Sequence, residues 1–509
     1  MKPSITRRTL LAGTAASAVL PFIMVPRARA ATPGVLTFGL SSFPPSIKPW
    51  ANTGTAAATI KLMIYRGLTS YADDGSLRPE LAESWERSGD TGWTFKLRDA
   101  LFHNGEKVTS HDVKWTIEQI AAQGSTAYFR TQMSDVQGVE TPDDRTVRII
   151  MKEPVSMLPT WMASYHLPIV SRQSGKDSFV GAGPFELKAQ ERGVSLELEP
   201  FARFYRPGLP RLKRIRAVAY ADENLRVAAL RTGDVDLIEY VPWQAMDAIA
   251  AEPSLALDTT DGPFMFLVFN GSRAPFNDPR VRKAVAHAIR RDDVVKAAFF
   301  GRGSALQQLP IASSSPFYNP EFKDGWKYDP ELARQLLAQA GHSNGIKCSL
   351  LSTAQYGMHK DTAEVVQQHL AAVGIQAELN LPDWATRVAT GNRGQYDIAV
   401  MGTAADSNDP DGLSNFIDGS LSASYVRSTG LPIPRITELL AAGRAEFDES
   451  KRREIYKEIE RITIEQAPIV GLTWRSQGYA MRKGVSGFRN LPGALTFYSG
   501  LTFETTDVS

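Results

Sequence analysis

The sequence predicts an α/β protein of two or three domains, on three observations. Strand-like and helix-like patterns alternate through most of the chain beyond residue 183, helix ends carry matched start and stop residues, and 509 residues exceed what one ordinary core accommodates. Hydrophobic residues make up 43% and charged residues 22%, a globular balance able to bury sizeable cores.

Val35–Leu40 reads as a first strand, closed by the turn-rich Ser41–Pro45. A short helix is expected over 56–71, running into the turn Tyr71-Ala72-Asp73-Asp74-Gly75. Trp93–Arg98 and Thr146–Met151 alternate large apolar and polar side chains, as half-buried strands do. Gly181-Ala182-Gly183-Pro184 breaks the chain sharply and marks a domain crossover. Beyond it, Asp222 caps a helix through Leu230 that Gly233 closes, with a strand expected over Val235–Val241. Asp278-Pro279 places an N-cap before a proline at the first helical position, followed by the apolar stripe Val281, Ala284, Val285, Ala288 and Ile289. Asp329-Pro330 repeats the device, with Leu332, Leu336 and Leu337 inward and Gly341 as the stop. A helix over 361–373 ends at Gly374, and the alternation Ile375, Ala377, Leu379, Leu381 follows as a strand.

The N-terminus reads as an export signal. Lys2, Arg7 and Arg8 precede an apolar run from Leu10 to Val25, and Ala28-Arg29-Ala30 supplies the small-x-small pattern that a signal peptidase cleaves. The run is too short to span a membrane and is interrupted by Gly13 and Pro21. Thr6-Arg7-Arg8-Thr9-Leu10-Leu11 resembles a twin-arginine signal, with a general secretory signal as the other reading. Removing residues 1–30 removes Lys2, Arg7, Arg8, Arg27 and Arg29 and no acid, so a formal net charge of +2 becomes −3. The basicity therefore belongs to the leader, and no argument for nucleic acid survives.

Signatures of catalysis are missing. There is no G-x-S-x-G, H-E-x-x-H or Walker motif, and no G-x-G-x-x-G following a strand. The seven histidines are scattered, with no pair at i, i+4 to share a metal, and no cofactor is expected. The one cysteine, Cys348, excludes an intramolecular disulfide and reads as a core thiol in the apolar Ile346–Leu351. Asp406–Gly412 superficially looks like a calcium loop, but Pro410 falls on a ligand position and no glutamate closes it. An Asx-rich turn is one reading of this segment; a carboxylate facing a cleft is the other.

Several blocks in order resemble family 5 of the extracellular solute-binding proteins, which includes dipeptide, oligopeptide and nickel binders. They are Ile64–Leu68 with Arg78–Trp85, Trp93–Asp99, Phe102–Glu106, Thr109–Trp115, Gly181–Phe185, Arg226–Leu230 with Gly233–Asp236, Phe276–Ala288 and Ile469–Tyr479. The resemblance covers essentially all of residues 35–490. The resemblance implies the type II periplasmic-binding-protein fold: two α/β lobes joined by hinge strands, plus an additional domain. Lobe I would take 31–71, 183–270 and 481–509, the additional domain 72–182, and lobe II 271–480. It further implies a periplasmic, monomeric receptor that is not an enzyme, closing on a peptide-like or amino-bearing solute and docking on the membrane permease of an ABC importer. A non-peptide solute such as an opine or a metal chelate is the alternative within the fold, and an exported hydrolase the alternative outside it.

By the same resemblance, Asp406 matches the aspartate that pairs with the ligand's amino group in peptide-binding members. Two departures count against strict dipeptide specificity: Thr403 stands where many members carry tryptophan, and Ser352–Lys360 lacks the arginine that holds the dipeptide carboxylate. Arg475 is a candidate replacement anion partner, with an interlobe salt bridge as its competing reading. Ser41, Ser42 and Phe43 follow the first strand, where strand ends place ligand contacts. Asn270 and Trp384 complete the candidates, Trp384 also fitting a core role.

Overall fold

The computed structural model describes residues 32–51, 54–175 and 178–509, so the expected export signal at 1–30 lies outside the described residues. An eleven-stranded sheet forms the spine. Its order is Phe185–Glu191, Ser195–Pro200, Arg214–Ala219, Val35–Leu40, Leu237–Ile238, Ile469–Arg482, Leu255–Phe269, Ile398–Thr403, Ile346–Leu351 and Ile375–Asn380; Gly303–Ala305 pairs with Ile469–Arg482 beside this path.

Two long antiparallel strands tie the halves together. Leu255–Phe269 pairs with Ile469–Arg482 from Leu255 opposite Arg482 to Asp261 opposite Ser476; the register then shifts and resumes at Phe264 opposite Trp474. The first part joins the N-terminal half through Leu237 opposite Met481, and the second joins the C-terminal half through Phe264 opposite Thr403. The irregularity at Gly262-Pro263 thus falls where the sheet passes from one lobe to the other. Beyond it the strand is buried on both faces: Phe264, Phe266 and Val268 enter one core, and Met265, Leu267 and Phe269 another.

Helices pack on these strands from capped starts. Asp222 accepts from the Leu225 amide at 2.8 Å and Gly233, at φ 80°, closes Glu223–Thr232. Asp278 and Asp329 cap Pro279–Ala288 and Pro330–Gln339 in the same way. Cys348 is buried in the strand Ile346–Leu351, and burial, with Asp397 adding to it, pushes its thiol up to about 12. Among the described residues no helix is long and apolar enough to cross a membrane.

A separate four-stranded sheet, in the order Ala82–Ser88, Gly92–Leu97, Thr146–Met151 and Val136–Asp143, packs with the helix Ser110–Ala121 around its own core. The chain leaves this unit at Gly181–Pro184, hard against the end of the helix Thr55–Ile64. The Gly183 amide donates to the Ile64 carbonyl at 2.8 Å, and a Cβ on Gly183 would lie 2.5 Å from the same carbonyl carbon. The glycines of this motif permit that approach.

Three expected elements differ. The helix expected over 56–71 is Thr55–Ile64, because Tyr65 turns extended, Arg66 bridges to Ile169 and Thr69–Tyr71 pairs with Leu77–Pro79. The strand expected over Val235–Val241 narrows to Leu237–Ile238, since Tyr240 at φ 49° breaks the extended run. The helix expected over 361–373 begins earlier and spans Gly357–Ala372.

A buried ionic cluster holds the four-stranded unit to the C-terminal segment. Glu80 and Glu504 are 0% and 2% exposed. Glu504 meets Arg66 at 2.9 Å, Arg78 at 3.2 Å and also Arg206; Glu80 meets Arg206 at 2.8 Å and Arg66 at 3.4 Å. Burial pushes the Glu504 carboxyl up, but Arg66, Arg206 and Arg78 outweigh it and hold the group below its usual value. Its stabilisation is therefore present above the unfolded carboxyl pKa and lost as pH falls through the lower folded one. Glu504→Ala strands buried guanidiniums and is expected to cost about 3–5 kcal/mol, read as a lower urea midpoint at neutral pH.

Candidate functional site

The ends of strands from both lobes meet across one cleft. On the lobe I side, Val35–Leu40 ends at Ser41 and Leu237–Ile238 ends at Glu239 and Tyr240. Glu239 is wholly buried and accepts from the Ser41 amide at 2.9 Å and its hydroxyl at 2.6 Å. Burial raises its carboxyl above the ordinary value despite those bonds. Arg226 fixes the turn, donating to the carbonyls of Tyr220 and Tyr240 at 2.7 Å and of Glu239 at 3.1 Å. Tyr240 is thereby held with its ring parallel to Phe497, centroids 6.1 Å apart.

The lobe II side is aromatic. Tyr356 and His359 stand at the start of the helix Gly357–Ala372, and Trp384 opens the helix Trp384–Asn392, which Asp383 caps through the Thr386 amide. Trp384 lies 5.5 Å from Tyr356, 5.6 Å from His359 and 6.0 Å from Tyr425, ring to ring. Tyr356 also reaches the opposite wall: burial, then Tyr240 and Glu239 acting against Arg226, raises its phenol to about 12.

Two arginines are enclosed with these rings. Arg387 is 0% exposed and donates from Nη2 to the Val400 carbonyl at 2.6 Å; its guanidinium lies 5.5 Å from the ring centres of both Trp384 and Tyr425. Arg475 is also 0% exposed and donates from Nη1 to Gln477 at 2.7 Å, 5.5 Å from Trp243 and 5.8 Å from Tyr240. Burial lowers both pKa values, that of Arg387 to about 10. His359, buried and then repelled by Arg387 and Arg475, is held well below the ordinary imidazole range and is neutral.

Asp406 closes the site against the four-stranded unit. Its carboxylate accepts from the Tyr128 hydroxyl at 2.8 and 3.0 Å and from Asn415 Nδ2 at 2.6 Å. Tyr128 in turn stacks on His166, centroids 4.2 Å apart. Burial raises Asp406 to about 6, the two hydrogen bonds opposing. The other two aspartates of this loop are paired with cations: Asp409 with Arg452 at 2.9 Å and Asp411 with Arg444 at 2.7 Å. They anchor the loop and leave Asp406 with neutral donors.

Of the residues singled out in sequence, Asp406, Arg475, Trp384 and Ser41 thus stand on the walls of this cleft. Thr403 ends the strand Ile398–Thr403, half-buried, with its hydroxyl 3.3 Å from the Ala404 carbonyl. Ser42 and Phe43 are half-buried, Phe43 against the lobe I core. Asn270 is placed apart from the others: its amide donates to the Gly394 carbonyl at 2.8 Å and accepts from the Ser272 amide at 3.0 Å, bracing a lobe II turn. Sequence reasoning did not find Arg387, His359, Tyr240, Glu239, Tyr128 or Asn415. Only Arg387 left a trace, one turn beyond Trp384 on a capped helix.

Comparison with known proteins gives the family and the fold. Residues 76–424 match the model of the bacterial extracellular solute-binding proteins, family 5. The glutathione-binding protein GsiB of Shigella dysenteriae serotype 1 is 26% identical over 97% of this chain and 98% of its own. The binding protein AgaA of A. tumefaciens R10, solved with agropinic acid, is 39% identical with a TM-score of 0.88, over 93% of this chain and 99% of its own. MoaA of A. tumefaciens R10, solved with mannopinic acid, is 25% identical with a TM-score of 0.80, over 93% and 99%. The chain belongs to family 5 of the bacterial extracellular solute-binding proteins.

Proposed function

We propose that this chain is the periplasmic receptor of an ABC importer, capturing a small solute between its lobes and presenting it unchanged to a membrane permease. The observation that carries the proposal is the enclosed cluster at the lobe junction, where Arg475 lies 5.8 Å from the Tyr240 ring and 5.5 Å from Trp243, and Arg387 5.5 Å from Trp384 and Tyr425. Buried polar groups at a lobe junction bind strongly once water is excluded. The irregularity at Gly262-Pro263 supplies the pivot, and contacts across both lobes let a solute favour the closed form. Relatives solved or named with glutathione and opines point to a small polar solute. Residues 1–30 would deliver the chain to the periplasm. The relatives are solute-binding proteins, so capture without turnover is the reading.

Within this reading Asp406 is a clasp, drawing Tyr128 of the four-stranded unit onto the lobe II loop. Folding raises its pKa to about 6, so the folded protein takes up this proton before the unfolded chain does as pH falls. The ionised group's burial penalty is therefore fully present above about pH 6 and relieved below the unfolded carboxyl pKa.

Two outcomes follow from these arguments. A melting screen with agropinic acid, glutathione and dipeptides should yield at least one solute that, at about a hundred times its Kd, stabilises the protein by about 2.7 kcal/mol; mass spectrometry should recover it intact, and a consumed solute would overturn the receptor reading. Melting curves from about pH 8 to pH 4 should show the wild type gaining on Asp406→Asn as pH falls through about 6. A gap that does not change with pH would mean that Asp406 titrates normally.

A further inference from the structure

Receptor function leaves the chemical class of the solute open, and two buried cations narrow it. Arg387 and Arg475 are fully enclosed, and neither forms an ion pair with a carboxylate among the described residues. Nε and Nη1 of Arg387 have no hydrogen-bond partner, nor do Nε and Nη2 of Arg475. Other buried arginines leave at most one nitrogen without a hydrogen-bond partner, as Arg66 does at Nε and Arg291 at Nη2. Arg226 is engaged by three carbonyls, and Arg282 by those of Phe276, Gln466 and Ala467. A guanidinium enclosed without a counter-charge is unfavourable, and arginines serving only the fold would not leave pairs of donors idle.

His359, 5.6 Å from the Trp384 ring on which Arg387 lies, is held neutral by burial and then by both guanidiniums, and its Nδ1 also lacks a partner. Trp384 and Tyr425 flank Arg387, and Trp243 and Tyr240 flank Arg475, so the cations are held against ring faces that offset part of their desolvation. Asp406 already accepts from Tyr128 and Asn415, and Glu239 from Ser41, whereas the groups without any partner are guanidinium nitrogens. What those donors lack is an acceptor, best supplied by an anion.

Building on the receptor reading, we infer that the cleft selects a carboxylate-bearing solute whose acid group is held by the free edges of Arg387 and Arg475. The planar fork of a guanidinium matches the two oxygens of a carboxylate, so the contact is directional as well as charged. The rings of Trp384 and Tyr425 would receive the flat or apolar body of the solute. An ammonium group on the solute is not required.

The test uses L-pyroglutamate and glutarate as acid probes, with pyroglutamamide and cadaverine as neutral and cationic counterparts, followed by melting and tryptophan fluorescence. The acids should bind the mature wild-type protein roughly tenfold or more tighter than the counterparts, and Arg387→Met or Arg475→Met should each weaken acid binding by at least about tenfold. The unliganded variants should melt no lower than the wild type, and up to about 2 °C higher, because an unpaired buried cation has gone. A purely structural arginine would give the opposite shift. Should a methionine variant fail to fold, Arg387→Lys and Arg475→Lys, which keep charge but lose the fork, should still weaken acid binding several-fold. Equal binding of acid and amide, preference for the diamine, or unchanged acid binding in the variants overturns the inference. A wild type stabilised by none of the acids overturns it too; if glutathione, opines and dipeptides also fail, the receptor reading falls with it.

Discussion

The architecture hangs on one pair of strands. Leu255–Phe269 and Ile469–Arg482 run through both lobes, and every other strand of the spine is added outward from them, towards Phe185–Glu191 on one side and Ile375–Asn380 on the other. Backbone pairing sets where each lobe begins, because the register shifts only at the crossing and near Met265–Phe266. A paired ribbon resists stretching and slippage but bends where its ladder is interrupted. The ladder is interrupted at the crossing while one apolar core, from Val227 through Met265 to Val470, continues past it, and the strand ends at Ser41 and Glu239 are carried by paired sheet.

Charge is distributed around this frame in two ways. Where the four-stranded unit meets the C-terminal segment, Glu80 and Glu504 are matched by Arg66, Arg78 and Arg206, so buried charge is neutralised inside the protein and the joint is permanent. In the cleft, Arg387 and Arg475 keep donors without partners, and Asp406 has partners without charge. Desolvation of an unpaired ion costs several kcal/mol, more than the aromatic faces return. A fold stabilised by the first kind of arrangement can tolerate the second, as proteins do where a site must remain available to something outside the chain.

Local chemistry made much of the frame legible in the sequence. Asp222, Asp278 and Asp329 mark helix starts because a carboxylate can accept the first free amides, and Gly233 marks an end because it adopts φ 80° without strain. Val35–Leu40 and Thr146–Met151 are found with the bounds read from their patterns. The differences arise where tertiary contacts override pattern. The helix expected over 56–71 stops at Ile64 because Arg66 is drawn to Ile169 and to Glu504; Val235–Val241 looks extended, yet Arg226 gathers the carbonyls of Glu239 and Tyr240 into a turn. Asp406 drew notice in the sequence through its match to the family's pattern, and Arg475 through the fit of a guanidinium to a carboxylate; the fold carries both to the lobe junction. Arg387 carries no such mark, since an arginine on a short amphipathic helix reads as solvated until the helix is docked.

On the proposed function, the cleft works only as a closed object. Open to water, guanidiniums and a carboxylate are well solvated, and an acid solute would exchange one set of hydrogen bonds for another with little gain. Enclosed by Trp384, Tyr425, Tyr240 and Trp243, the idle donors of Arg387 and Arg475 have no water to fall back on, and each contact with an anion is strengthened by the low local dielectric. The unfavourable charge that an empty closed cleft would carry biases the free protein towards opening, and an anion that cancels it biases the protein towards closing. Affinity and closure then share one origin, the relief of two unpaired buried cations by a single guest.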